Sequence, residues 1–191
     1  MKIYGDSKSG NCLKVKWTAD FLGRTYDWIE VDITRGESRT PAFLAMNPAG
    51  QVPAVSLDDG RPLAQSNAII LHLAEGSPLI PADACARMLE WLFWEQYSHE
   101  PYVAVARFQV VYQGKSPTEL DARLVERAAA ALQRLETGLA GGDFLVGDAV
   151  TLADVALVAY TRLAPEGGFD LDLYPRVKAW VARVETALGI A

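Results

Sequence analysis

The chain has 191 residues, half of them hydrophobic and 22% charged, and a formal net charge of −6. That is enough for one good core or two small domains, and an acidic chain without basic runs is a poor partner for nucleic acid or an anionic membrane surface. The N-terminus lacks the apolar stretch of a signal peptide, no run of 18 apolar residues occurs, and Cys12 and Cys85 lie too far apart to suggest a disulfide scaffold, so a reducing cytoplasm is the expected compartment.

The first third alternates strand and helix signals. Ile3-Tyr4 reads as a short strand, and Gly10 to Leu22 as a helix with Leu13, Val15, Trp17, Phe21 and Leu22 partly on one stripe and Gly23 as its stop. Tyr26 to Val31 is β-rich. Thr40 to Met46 predicts a short helix closed by Asn47-Pro48, and Val52 to Leu57 a strand that turns through Asp58-Asp59-Gly60 into another near Pro62-Leu63. Gln65 to Ala74 then reads as a helix. The order βαβαββα predicts a four-stranded mixed sheet with helices on both faces.

The stretch GSPLIPAD is the candidate linker. It divides an α/β domain over 1–76 from an all-helical domain over 83–191, with 77–82 between them. Ala84 to Tyr112 reads as one long helix that Pro101 should kink. Ser116-Pro117-Thr118-Glu119 is expected to start the next helix, with Leu124, Ala128, Ala131, Leu135 and Leu139 at helical spacing and Gly141-Gly142 as its end. Thr151-Leu152-Ala153-Asp154 is a capping box, which assigns Asp154 to folding rather than to catalysis. Leu152, Val155, Ala156, Ala159 and Leu163 should line one face of the helix it opens. Leu173, Val177, Trp180, Val181, Val184 and Leu188 form the stripe of the last helix. His72 and His99 are the only histidines, so a Ser-His-Asp triad or a multi-histidine metal site has little material.

Four pieces in this order, SGNCLKV after the first strand, NPAGQVPAV before the hairpin, QSNAII opening the third helix and TLADVAL late in the chain, resemble a cytosolic glutathione transferase over nearly the whole length. The resemblance is to a bacterial branch related to the serine-using theta- and delta-like types, and EQYSHEPYVAVARF strengthens the bacterial assignment. It implies a thioredoxin-like N-terminal domain, an all-α C-terminal domain, glutathione as co-substrate, no metal, and a homodimer. Trp91, Phe93 and Trp94 are too hydrophobic for a lone helix surface and read as domain-packing and dimer-interface residues.

On this resemblance Ser9 stands where the attacking thiolate of a C-x-x-C pair would stand, with Cys12 in the resolving place. Glutathione brings its own thiol, so the chain needs a donor that favours the thiolate: a hydroxyl at a helix start supplies a hydrogen bond and partial positive charge. The alternative is that Ser9 only caps the helix. Asn11 is the second candidate donor and Ser7 the third; Cys12 reads as a small, partly buried residue. Pro53 of Gln51-Val52-Pro53 is cis in the thioredoxin-like fold, and the Val52 backbone would pair with the cysteinyl backbone of glutathione. Ser66 at a helix start would hold the γ-glutamyl carboxylate, and Gln65 the glutamyl amine with Glu100 as a further candidate. Arg39 and Gln51 are candidates for the glycyl carboxylate, with Arg35 the alternative cation. Tyr102, Arg107, Phe108 and Val111, about one turn apart, are candidates for an apolar electrophile pocket; Arg107 needs a partner, either an anionic substrate group or a buried carboxylate. The resemblance implies thiolate transfer to a small apolar electrophile. Glutathione-dependent disulfide or peroxide reduction, and binding or regulation without turnover, are the alternatives on the same residues.

Overall fold

The strands of the first half are short, and alternation decides what each face covers. In this computed structural model, which describes residues 1–190, β1 (Lys2–Gly5), α1 (Gly10–Phe21), β2 (Asp27–Glu30), α2 (Pro41–Met46), β3 (Ala54–Ser56), β4 (Pro62–Ala64) and α3 (Ser66–Leu73) follow one another in the expected order. The sheet order is β2-β1-β3-β4, with β1 parallel to β2 and the other pairs antiparallel. Ile3 stands opposite Val55 and both are fully buried. Their neighbours Tyr4 and Ala54 point to the other face, where Phe43 and Met46 of α2 pack with Val31 and Val52. Helices α1 and α3 pack on each other and bury Val15, Ala19, Ile69 and Ile70. This is the thioredoxin-like arrangement.

The second half is helical: α4 (Cys85–Trp94), α5 (Glu100–Val111), α6 (Ala122–Gly138), α7 (Leu152–Thr161) and α8 (Pro175–Leu188). The chain divides into two compact units, Met1–Pro78 and the remainder from Leu79. Helix α7 is buried at every position from Leu152 to Thr161, so it is the central helix of its unit rather than one with a single apolar face. Its capping box is present. The Asp154 carboxylate accepts from the Thr151 amide at 2.9 Å, the Thr151 hydroxyl at 2.9 Å, the Leu145 amide at 3.0 Å and Trp180 Nε1 at 2.8 Å.

Three helix boundaries depart from the periodicity. The long helix bends through a π-helical turn over Glu95–His99, and Pro101 falls in the first turn of α5; the proline has no N–H to give, and the wider turn ahead of it accommodates the missing bond. The Ser116 capping box exists, with Ser116 N–H donating to Glu119 at 2.7 Å, but it closes only a 3₁₀ turn over Pro117–Glu119. Leu120 is extended, and α6 starts afresh under the Asp121 cap. Gly168, with φ +91°, lies so close to this turn that a Cβ would stand 2.7 Å from Pro117 Cβ. Leu173 falls outside α8 and is 72% exposed, because Pro175 occupies the first turn and holds Tyr174 out of helical geometry. The start of α8 is capped from α6: Glu136 accepts from the Arg176 amide at 2.9 Å and the Val177 amide at 3.0 Å.

Trp91 is buried inside the helical unit, edge-on to Trp94 and with the Arg134 guanidinium 4.5 Å from its ring centroid. Phe93 and Tyr97, by contrast, are 74% and 84% exposed.

Candidate active site

The loop between β1 and α1 carries three hydroxyl or amide side chains, and their partners separate them. Ser7 is committed to Glu30: its amide donates at 2.9 Å and its hydroxyl at 3.0 Å to one carboxylate oxygen, while Trp28 Nε1 donates to the other at 2.7 Å. Partial burial pushes the Glu30 carboxyl up, but these donors outweigh it and hold it below its ordinary value. Asn11 Oδ1 accepts a 2.9 Å hydrogen bond from the Ser66 hydroxyl. Ser9 occupies the cap position of α1 with extended backbone, φ −84° and ψ 122°, yet its side chain makes no capping hydrogen bond. Its backbone is fixed instead, its N–H donating to Asp6 O at 3.0 Å and its carbonyl accepting from Leu13 N–H at 2.9 Å.

The Ser9 side chain engages the sulfur of Cys12, one turn along. Cys12 is fully buried and accepts from the Asp6 amide at 3.3 Å. Burial pushes its thiol up to about 11, against the opposing pull of the Ser9 and Asp6 donors. At neutral pH Cys12 is therefore a thiol, not a nucleophile.

The loop before β3 is built by residues the motif alone did not single out. The Val52–Pro53 bond is cis. Buried Asn47, legible in sequence only as a helix stop, donates Nδ2–H to Gln51 O at 2.7 Å and accepts from Ala49 N–H at 3.2 Å. Arg39 Nη1 donates to Ala49 O at 3.2 Å. The guanidinium lies against Gly50, whose φ is +62° and where a Cβ would stand 2.5 Å from Nη1. Only glycine admits both that backbone and that approach. Arg39 is thus held beside Gln51. Arg35 instead ends an exposed 3₁₀ turn capped by Asp32.

Gln65 has φ +72° and ψ 112°, the one non-glycine residue of positive φ among the described residues. For a residue with a Cβ this is a costly conformation, of the kind concentrated at binding sites. It turns the chain from β4 directly into α3, whose first residue, Ser66, is buried with its hydroxyl on Asn11. Ser66, Asn11 and the helix starts of α1 and α3 are thereby joined across 55 residues of sequence. Helix N-termini favour anionic groups.

In the helical unit, Arg107 Nε pairs with Glu166 at 2.7 Å and its guanidinium lies 5.9 Å from the Tyr112 ring centroid. Of the two partners its setting suggested, a carboxylate is found, although Glu166 is 44% exposed rather than buried. Phe108 and Val111 are 41% and 44% exposed, Phe108 stacking on Tyr112 at 5.1 Å, and Tyr102 is partly buried against the helical core.

Comparison with known proteins agrees with this arrangement. Residues 9–75 match the family described as glutathione S-transferase, N-terminal domain, and residues 91–187 match glutathione S-transferase, C-terminal domain. Glutathione S-transferase 3 of Zea mays is 35% identical over 193 residues, covering 94% of this chain and 86% of the maize protein. The crystal structure of a glutathione S-transferase from Pseudomonas fluorescens Pf-5 superposes with a TM-score of 0.93 at 46% identity, over 97% of this chain and 94% of that one. Ure2p in complex with glutathione superposes with a TM-score of 0.87 at 25% identity, over 96% and 93% of the two chains. With both halves matched in order, the chain belongs to the glutathione S-transferase family.

Proposed function

We propose that the protein is a serine-type glutathione transferase, which ionises the glutathione thiol and joins it to a small apolar electrophile. The observation that carries this reading is Ser9: it sits in cap geometry at the start of α1, yet its hydroxyl is not used to cap the helix and engages only the neutral thiol of Cys12, a weaker acceptor than a thiolate.

A free thiol with pKa about 8.5 is only a few per cent ionised at neutral pH. A hydroxyl that donates to the sulfur is a hydrogen bond to a charged group, contributing about 1.5–3 kcal/mol, or roughly one to two pH units. The proton released on ionisation goes to solvent. The thiolate then attacks the electrophilic carbon; with an aromatic halide a C–S bond forms, the carbon–halogen bond breaks and halide leaves. Ser9 keeps its own proton throughout, so it needs no histidine beside it.

Glutathione itself would be held by groups of the first unit. The γ-glutamyl carboxylate lies at the first turn of α3, on Ser66 N–H and its hydroxyl, with Gln65 orienting the amine. The cysteinyl backbone pairs with Val52 beside Pro53 as one more strand. Arg39, already held against Gly50, meets the glycyl carboxylate together with Gln51. Tyr102, Phe108 and Val111 offer the apolar surface for the second substrate, and Arg107 fixes their helix through Glu166. The exposed Phe93 and Tyr97 support a homodimer, since an aromatic pair of that exposure is costly in water.

Turnover of an aromatic halide with glutathione, measured beside reduction of a small mixed disulfide, tests the reading. Conjugation of the halide is expected. Reduction of the disulfide alone would make the protein a glutathione-dependent reductase, and glutathione binding with neither turnover would make it a binding protein.

A further inference from the structure

Asn11 and Ser9 compete in the sequence for the thiolate, and the geometry separates them. The Asn11 side chain is directed at the start of α3, where Oδ1 accepts from the Ser66 hydroxyl at 2.9 Å. A serine hydroxyl has one hydrogen to give. Here that hydrogen goes to an amide oxygen. An incoming carboxylate is the stronger acceptor, because charge-assisted hydrogen bonds are roughly twice as strong as neutral ones. When the hydrogen turns to the carboxylate, Ser66 Oγ would face Asn11 Oδ1 as one acceptor against another. An asparagine resolves this where an aspartate cannot: reversed about its terminal torsion, it presents Nδ2–H to the serine oxygen. Ser66 is buried, so water is a poor substitute for that donor.

We propose that Asn11 is the positioning residue for Ser66: it accepts from the Ser66 hydroxyl in the arrangement seen here and, with its amide reversed, donates to it when the hydroxyl turns to the γ-glutamyl carboxylate of glutathione. The proposal rests on the glutathione reading above. It places Asn11 with the anion-binding end of the ligand, not with the sulfur, and it makes the start of α1 and the start of α3 one polar unit.

The test uses glutathione and 4-aminobutanoyl-cysteinyl-glycine, which lacks the glutamyl α-carboxylate. The dissociation constant of each is measured by competition on the wild type, Asn11→Ala, Asn11→Asp, Ser66→Ala and the Asn11→Ala/Ser66→Ala double variant. Glutathione should bind about tenfold more weakly to Asn11→Ala, as expected for loss of one hydrogen bond in a chain ending on a charged group. Asn11→Asp, which can only accept and adds a negative charge, should be weaker still. The double variant should be no worse than Ser66→Ala. The analogue lacking the glutamyl carboxylate should not distinguish wild type from Asn11→Ala, and the pKa of the bound glutathione thiol should not move in Asn11→Ala. An equal loss for both ligands, additive losses in the double variant, or a raised thiol pKa would overturn the proposal in favour of Asn11 as thiolate donor. Asn11→Asp keeps the acceptor of the Ser66 hydroxyl, so it remains informative if the alanine variant fails to fold. A wild type that binds no glutathione would instead overturn the underlying reading, a result distinct from any pattern among the variants.

Discussion

Asp154 and Ser9 both stand at the start of a helix, and the two units use them in opposite ways. In the helical unit, the Asp154 carboxylate accepts four hydrogen bonds and joins the cap of α7 to the loop at Leu145 and to α8 through Trp180. Glu136 likewise caps α8 from α6, and Arg107 is tied to Glu166. Polar groups there close the fold. In the sheet-bearing unit, Ser9 has the backbone of a cap and does no capping, Gln65 holds a backbone that its side chain disfavours, and Arg39 is laid across a glycine beside an exposed loop. Local rules of sequence–structure agreement are met in the first unit's counterpart and set aside here, as expected where binding rather than stability sets the residue.

The largest expected effect that sharpens this contrast is on Asp154. Asparagine is nearly isosteric but turns an NH2 toward donors that need an acceptor. Asp154→Asn should therefore cost about 3–5 kcal/mol of unfolding free energy, read from denaturant midpoints. An effect below about 1 kcal/mol would mean that the network is ornamental to the fold. Burial pushes this carboxyl up from its ordinary value while the four donors oppose the shift; the substitution removes the charge and one acceptor together.

Cys12 gives the next effect, and its sign is set by burial. Its thiol rises from 9.0 to about 11 in the folded protein. A raised pKa means that the stabilisation is fully present below the unfolded value and is lost as pH rises through the folded one. Stability should fall by about 2–3 kcal/mol between roughly pH 9 and pH 11. Cys12→Ala should abolish this component of the alkaline slope, as read from thermal or denaturant unfolding across that range. A slope unchanged by the substitution would show that Cys12 does not titrate with folding, and would remove the buried thiol from beneath Ser9.

Much of the fold was legible along the chain because its signals are local. The TLAD box, the alternation through Ile3-Tyr4 and the stripe from Val177 to Leu188 each sit within a few residues of what they specify. Helix starts next to proline were harder. Ser116-Pro117 carries a complete cap signature and still makes only a 3₁₀ turn, because Gly168 packs on Pro117 and Leu120 is extended. Leu173 fits the period of α8, but Pro175 excludes it from the helix. The site divides the same way. Ser9, Gln51-Val52-Pro53 and Gln65-Ser66 stand out as motifs. The Asn11–Ser66 bond joins residues 55 apart, and Asn47 works through backbone groups of its own loop. Neither has a periodic or compositional signature, and only the folded chain shows them. Arg107 was legible as a residue in need of a partner, but Glu166, 59 positions away, was not legible as that partner.

The central claim is that the Ser9 hydroxyl, which does not cap the helix it begins, stabilises the thiolate of bound glutathione. It is tested most directly by titrating the ultraviolet absorbance of the bound thiolate in wild type and Ser9→Ala, alongside the unfolding free energy of each. The bound thiol should titrate at least about one unit below a free thiol in the wild type and rise by about one to two units in Ser9→Ala. The two proteins should differ in stability by less than about 0.5 kcal/mol, because no cap is lost. An unchanged thiol pKa in Ser9→Ala, or a loss of stability typical of a removed cap, would contradict it.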